Sequence, residues 1–306
     1  MRNGDSERTH LLRATLLVVA AAACFSTIAI FVSLSLRAGA PLLTILTGRF
    51  VFGVLALAPI AGVAALGRTP VKLRRALMIR AGSLSAGVVF FSGASLRWLT
   101  AATLVFLFYT YPAWVTLIVA VRKGERITTR QALALLLSLV GVTIMVGAPG
   151  PGSFHLLGAA FALASALLFA IYLIYTDALQ GSIPPTVTAF WIGLGAGVVF
   201  LVAAVLTSNL TVDLPGRVWL YIAAPGFIST ALGYALFFRG LRLLGPVRTS
   251  IVSTVEPIWA ALWGWLVLAQ PVTLATGMGG LCIGAAVVIL QWPARKIEGP
   301  LQPAAT

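Results

Sequence analysis

Two ionisable residues occupy stretches of this chain that are otherwise almost wholly apolar. Glu256 follows Ile251-Val252-Ser253-Thr254-Val255, and Arg49 lies between Leu46-Thr47-Gly48 and Phe50-Val51-Phe52. A carboxylate at such a place can bind a substrate ammonium, carry a proton, or serve as a structural group paired with a cation, and the residues leave all three roles open. Arg49 is the cation available to it, and leans structural because a long side chain can also snorkel outward. Pro257, directly after Glu256, removes a backbone hydrogen bond and frees a carbonyl one turn earlier, around Ser253. Pro112 sets the same break elsewhere, with Tyr111 in the place of Glu256. Aromatic residues crowd both prolines: Phe106, Phe108, Tyr109, Tyr111 and Trp114 beside one, Trp259, Trp263 and Trp265 beside the other. Phe90, Phe91, Phe169, Tyr172 and Tyr234 add to the rings that can line a pocket for amphipathic or cationic ligands.

The elements that position these groups follow from composition. Of 306 residues, 60% are hydrophobic and 9% charged, too few polar groups to cover a water-soluble fold. A membrane-spanning helix needs about 20 mostly apolar residues. Ten such runs are read, near 14–36, 41–66, 76–96, 100–121, 130–147, 155–176, 185–207, 217–238, 246–268 and 273–292. The first continues to Leu36, too long for a signal core, and is expected to be retained. Glu256 then sits about 15 Å into its span and Arg49 about 12 Å into its own, at 1.5 Å per residue. The tails, 1–13 and 293–306, are polar or Pro-rich and expected to be poorly ordered.

The net charge of +14 sorts by position. With a cytoplasmic N-terminus, seventeen Lys and Arg fall in inner segments, while Arg37, Arg97 and Arg217 fall in outer ones. This places both termini in the cytoplasm and the basic residues against lipid head groups. Nucleic acid as a partner is excluded, since the charges do not gather on one face.

The chain also repeats itself. Leu96-Arg97-Trp98-Leu99 recurs as Leu241-Arg242-Leu243-Leu244, 145 positions on, and without a gap Pro112 meets Pro257, Trp114 meets Trp259 and Thr128 meets Thr273. The expected organisation is a first five-helix repeat over 14–147, a linker over 148–154 and a second repeat over 155–292. Five is odd, so the second copy enters the membrane from the opposite side. The expected fold is an all-α integral membrane protein of ten transmembrane helices, arranged as two inverted five-helix repeats around a central cavity.

Other patterns exclude. Gly193-x-Gly195-x-Gly197 follows no strand and is no dinucleotide loop. There is no P-loop, no zinc-spaced His pair and no Gly-x-Ser-x-Gly, so no cofactor, metal or catalytic activity is expected. Gly280-x-x-x-Gly284 reads as a close-packing motif, leaving a monomer or weak homodimer.

These features together resemble the drug/metabolite transporter superfamily, and within it the EamA-type ten-helix exporters. The resemblance rests on Arg49, the Tyr109-x-x-Pro112 segment, Gly124-Glu125 and the stretch Glu256–Trp265. The family's second Gly-Glu reads Ala269-Gln270 here. Phe108-Tyr109-Thr110-Tyr111-Pro112 is most similar to the YddG-type amino-acid exporters. That resemblance implies a basket of helices one to four and six to nine, with Phe90, Phe91, Tyr111, Phe169 and Tyr172 on the cavity. Glu256, Tyr234 and Trp114 complete the expected lining, with Arg49, Pro112 and Pro257 structural or coupling residues. The implied function is secondary export of amino acids, aromatic ones included, and related amphipathic metabolites across a bacterial inner membrane. Other small metabolites or cationic drugs are the alternative cargo, and a non-transporting sensor or scaffold the minor one. Polyanions fit poorly, because Arg49 is the one basic residue deep in a span.

Overall fold

The computed structural model describes residues 2–124, 126–147, 155–181, 183–268 and 273–291, and among them all regular structure is helical. The helices are α1 (Arg2–Arg37), α2 (Leu42–Ala61), α3 (Val71–Ser95), α4 (Ala101–Phe108), α5 (Tyr111–Lys123) and α6 (Thr129–Val146). They continue with α7 (Leu156–Gln180), α8 (Pro185–Leu206), α9 (Gly216–Ser253), α10 (Glu256–Leu268) and α11 (Leu274–Gln291). Eight helical stretches are long and apolar enough to cross a membrane: α1, α2, α3, Thr103–Lys123, α6, α7, α8 and α9. The chain is thus built as a multi-pass membrane protein, with Leu274–Leu290 a shorter apolar helix beside them.

Several boundaries differ from the sequence reading; the span read as 41–66 ends as a helix at Ala61, and a short helix over Val63–Gly67 follows it. Helix α1 starts at Arg2, so the backbone of residues 2–13 is helical and runs directly into the candidate span Thr9–Arg37. That stretch has no proline to interrupt a helix, and its second half, Glu7-Arg8-Thr9-His10-Leu11-Leu12-Arg13, holds good helix formers in Glu, Leu and Arg. The polar stretch 239–245, read as a loop, is helical until Gly245, whose φ of 72° and ψ of 170° interrupt α9. Only glycine takes that conformation without strain, and Pro246 then restarts the helix with its fixed φ. The spans 100–121 and 246–268 are each cut in two, at Tyr109–Thr110 and at Thr254–Val255.

The two cuts are 145 residues apart, and their bonding matches. Ala113 N–H donates to the Thr110 carbonyl at 3.0 Å, and Ile258 N–H to the Val255 carbonyl at 3.0 Å. Trp114 and Trp259 donate to those same carbonyls, each at 3.4 Å. Helices α6 and α11 keep the same offset, and each starts on a threonine. The Thr128 hydroxyl accepts from Gln131 N–H at 3.3 Å, and the Thr273 hydroxyl from Thr276 N–H at 3.2 Å. Helices α6 and α11 pack on each other, as do α2 and α8; α1 lies along Tyr234–Ser253, and α3 along α7. Elements from the two halves therefore interleave around a shared interior.

Two crossings are made by bare backbone. The π-helical stretch Ala76–Ala81 of α3 lies on α8, where a Cβ on Gly195 would overlap the Met78 carbonyl oxygen. A Cβ on Gly82 would come within 2.8 Å of the Gly195 Cα. The π-helical stretch Gly226–Gly233 of α9 lies on α2 in the same manner, where a Cβ on Gly226 would stand 2.9 Å from the Arg49 carbonyl oxygen. A π-helical turn carries one extra residue and is frequent at functional sites. In α11 the close approach is made by Gly279, whose added Cβ would meet the Gly141 carbonyl oxygen at 2.5 Å; Gly284 of the sequence motif faces open space.

Candidate functional site

The cut in the second half places Glu256. After Ser253 the helix tightens: Thr254 N–H donates to Ile251 at 3.1 Å and Val255 N–H to Val252 at 3.2 Å, each three residues back instead of four. This releases the carbonyl of Ser250, and the Tyr111 hydroxyl takes it at 3.2 Å. The sequence places a freed carbonyl at Ser253; the tightening moves one a turn earlier, to where a phenol from the other half receives it. Glu256 is then the first residue of α10, with Pro257 in the first turn, where its missing N–H costs little.

Glu256 and Arg49 face one interior cavity of about 730 Å³. Its walls come from α1, α2, α3, α4, the start of α5, α6, α7, α9, α10 and α11. Tyr109 and Tyr111 share the cavity wall with Glu256 and stand close to its carboxylate. Tyr111 meets Phe169 edge to face at 4.7 Å between centroids, Phe108 at 5.3 Å and Tyr109 at 5.9 Å. Tyr172 continues the cluster, 5.8 Å from Phe169.

Arg49 supplies a second pole. Its side chain is buried, and the guanidinium carbon lies 4.5 Å from the Phe50 ring centroid. Its Nε has no hydrogen-bond partner among the described residues. Tyr234 lies beside it and bonds Ser85 at 3.4 Å between hydroxyl oxygens; Phe25 caps Tyr234 edge to face at 5.9 Å. Among the described residues, neither Arg49 nor Glu256 has an ion-pair partner within 4.0 Å, and they do not pair with each other. A buried charge without a counter-charge is costly, so Arg49 is held at the cavity at the expense of stability.

The residues singled out in the sequence separate cleanly. Glu256, Tyr111, Phe169, Tyr172, Tyr234, Arg49 and Pro257 are on the cavity wall. Phe90 points outward, 66% exposed, and Phe91 packs on Phe161 at 5.7 Å. The helical period explains this: α3 turns Ser85, Val88, Val89 and Ser92 to the cavity, which sends position 90 to the far side. Trp114 packs against the core from α5, behind the wall, and Pro112 is buried in the cut. Phe108 and Tyr109, noted in the sequence as rings near Pro112, and Ser253, noted for its carbonyl, are wall residues as well, and so is Phe25, which was not among the expected lining. Tyr109 carried a signal, since it stands 145 positions before Thr254 at the matching cut. Glu125, the linker 148–154, the Ala269-Gln270 pair and the C-terminal tail lie outside the described residues.

With the wall chemistry in view, the relatives of the chain bear on it. It is 30% identical to an uncharacterized transporter of Archaeoglobus fulgidus, over 60% of this chain and 64% of that one. It is 28% identical to the uncharacterized inner membrane transporter YicL of Salmonella typhimurium, over 64% and 65%. The chain therefore spans just under two thirds of the length of these two relatives. Protein PecM of Dickeya dadantii is 27% identical over 74% of this chain and 73% of its own. A solved crystal structure shares the fold, with a TM-score of 0.76 and 20% identity over 90% of this chain and 95% of that one. The EamA-like transporter family matches twice, over residues 12–147 and again over 156–292, dividing the chain where the offset of 145 divides it. A doubled match over nearly the full length settles the family: the chain belongs to the EamA-like transporters.

Proposed function

We propose that the chain is a secondary transporter exporting amino acids, aromatic ones included, and related amphipathic metabolites by alternating access. The observation that carries the reading is that Arg49 and Glu256 face one cavity without pairing with each other. A zwitterion brings the missing partner to both: its ammonium meets Glu256, and its carboxylate meets Arg49. The rings of Tyr111, Phe169 and Tyr172 suit a flat or apolar side chain. The cavity, about 730 Å³, is within the roughly 300–1,000 Å³ of small-molecule sites.

The architecture in this proposal is ten crossings in two inverted five-helix repeats, in a bacterial inner membrane, with both termini cytoplasmic. The matched cuts and the matched starts of α6 and α11 support the duplication; five spans per half, as expected from the sequence, would set the second copy in the opposite orientation. Such a pair of halves gives two access states by exchange of their conformations.

The test is efflux or counterflow from proteoliposomes over a panel of labelled amino acids, run with amines lacking the carboxylate and acids lacking the ammonium. Transport of the zwitterions above empty liposomes supports the reading. Transport confined to the amines would replace it with export of cationic compounds, and no transport of any compound would refute it.

A further inference from the structure

A second hollow, away from the cavity, gathers cations. Its volume is about 430 Å³, and His10, Arg13, Arg239 and Arg242 surround it, with Leu17, Leu243 and Pro185 as its apolar part. The pattern repeats on two helices: α1 brings His10 and Arg13 three residues apart with Leu17 a turn further, and α9 brings Arg239 and Arg242 three residues apart with Leu243 beside them. No carboxylate lines the hollow among the described residues.

Arg242 is fixed before anything binds. One of its guanidinium nitrogens donates to the Ile183 carbonyl and, at 3.5 Å, to the Gln180 carbonyl, holding it against the turn between α7 and α8. Its Nε is buried with no partner among the described residues. Arg13 and Arg239 are exposed around it. Three guanidiniums and an imidazole over an apolar floor suit one chemistry, a phosphate group attached to something greasy.

The geometry points to a phosphate-binding site in this hollow, at the end of the bundle where α1 begins and α7 passes into α8. The occupant that matches both the cations and the floor of Leu17 and Leu243 is the head group of an anionic phospholipid; free inorganic phosphate shares the charge chemistry without the apolar part. The inference is independent of the transport reading, because the hollow shares no residue with the cavity.

The experiment uses the full chain in neutral detergent and follows thermal unfolding and lipid retention. The probes are phosphatidylglycerol, phosphatidylethanolamine and inorganic phosphate. Phosphatidylglycerol should raise Tm and stay bound where phosphatidylethanolamine does neither, a comparison that needs no variant. In the double variant R13Q/R239Q its apparent affinity should fall about tenfold or more. The control R122Q/R126Q removes two exposed cations from elsewhere and should keep wild-type affinity. A shift produced by inorganic phosphate alone in the wild type, and lost in R13Q/R239Q, would assign the same site to a soluble phosphate. Equal losses in both double variants, equal stabilisation by the two lipids, or no shift with any probe would overturn the proposal.

Discussion

The Tyr111 hydroxyl donates to the Ser250 carbonyl across 139 positions of sequence, at 3.2 Å. Each partner belongs to one of the two cut helices, and the bond exists because the tightened turn before Glu256 leaves that carbonyl free. Replacing Tyr111 with Phe keeps the ring on Phe169 and removes the donor. The expected loss is about 0.5–1.5 kcal/mol, with the cost of an unpaired buried carbonyl towards the upper end. Thermal unfolding in detergent, compared with Tyr175→Phe as a control, reads it; an unchanged Tm would show that the bond contributes nothing.

Arg49 and Glu256 should be separable by ligand chemistry. Arg49→Gln is expected to raise KM for amino acids about tenfold or more, as a charged hydrogen bond is lost, and to leave amines without a carboxylate nearly unaffected. Arg49→Lys keeps the charge and guards against misfolding. Glu256→Gln should do the reverse, weakening ammonium-bearing ligands and sparing acids. Parallel losses for every ligand in both variants would reduce the two residues to structural roles.

Proton coupling gives Glu256 a second readout. If its carboxylate is the carrier, a pH gradient drives uptake or efflux in the wild type, and Glu256→Gln abolishes that component while counterflow exchange continues. The measurement is labelled-substrate flux with and without an imposed gradient. A gradient response that survives in Glu256→Gln would place the carrier elsewhere.

The glycine crossings predict opposite outcomes at two sites. A Cβ at Gly195 overlaps the Met78 carbonyl, which is backbone and cannot turn aside, so Gly195→Ala should destabilise by about 1–3 kcal/mol. Gly284 has nothing within 4 Å of an added Cβ, and Gly284→Ala should be neutral or slightly stabilising. Unfolding temperatures of the two purified variants decide it.

The register of α3 predicts a labelling pattern. In a background with Cys24 and Cys282 changed to Ser, Phe90→Cys should react with a lipid-soluble maleimide and be indifferent to substrate. Ser92→Cys, on the cavity wall, should react with a small polar thiol reagent and be protected by a transported amino acid. Protection at position 90 with none at position 92 would require α3 to be rotated.

Composition and periodicity carried much of this protein. Glu256-Pro257 and Tyr111-Pro112 were legible because a charge or a proline in an apolar run has few innocent explanations. The offset of 145 was legible because Trp114 and Trp259 keep their spacing to the prolines. The faces of α3 were not: a run such as Val88-Val89-Phe90-Phe91 is apolar on every side, so burial in protein and contact with lipid look alike in sequence. Nor could hydropathy locate the cuts at Tyr109–Thr110 and Thr254–Val255, since they interrupt backbone bonding while the apolar run continues. The bend of α9 at Gly245 was hidden by Arg239, Arg242 and Arg248, which resemble a loop by charge yet remain helical.

The crossing of α3 and α8 at Gly82, Met78 and Gly195 has a mechanical meaning. Side chains at a helix contact act as springs, since they change rotamer and absorb displacement. Here main chain rests on main chain, with nothing between that can give. A displacement of one helix is therefore passed to the other with little side-chain give, and at the second crossing Gly226 bears on the Arg49 carbonyl and the Phe52 Cβ. The main chain that carries Arg49 is part of this close contact, so a tilt of α9 presses on the backbone from which that charge projects into the cavity.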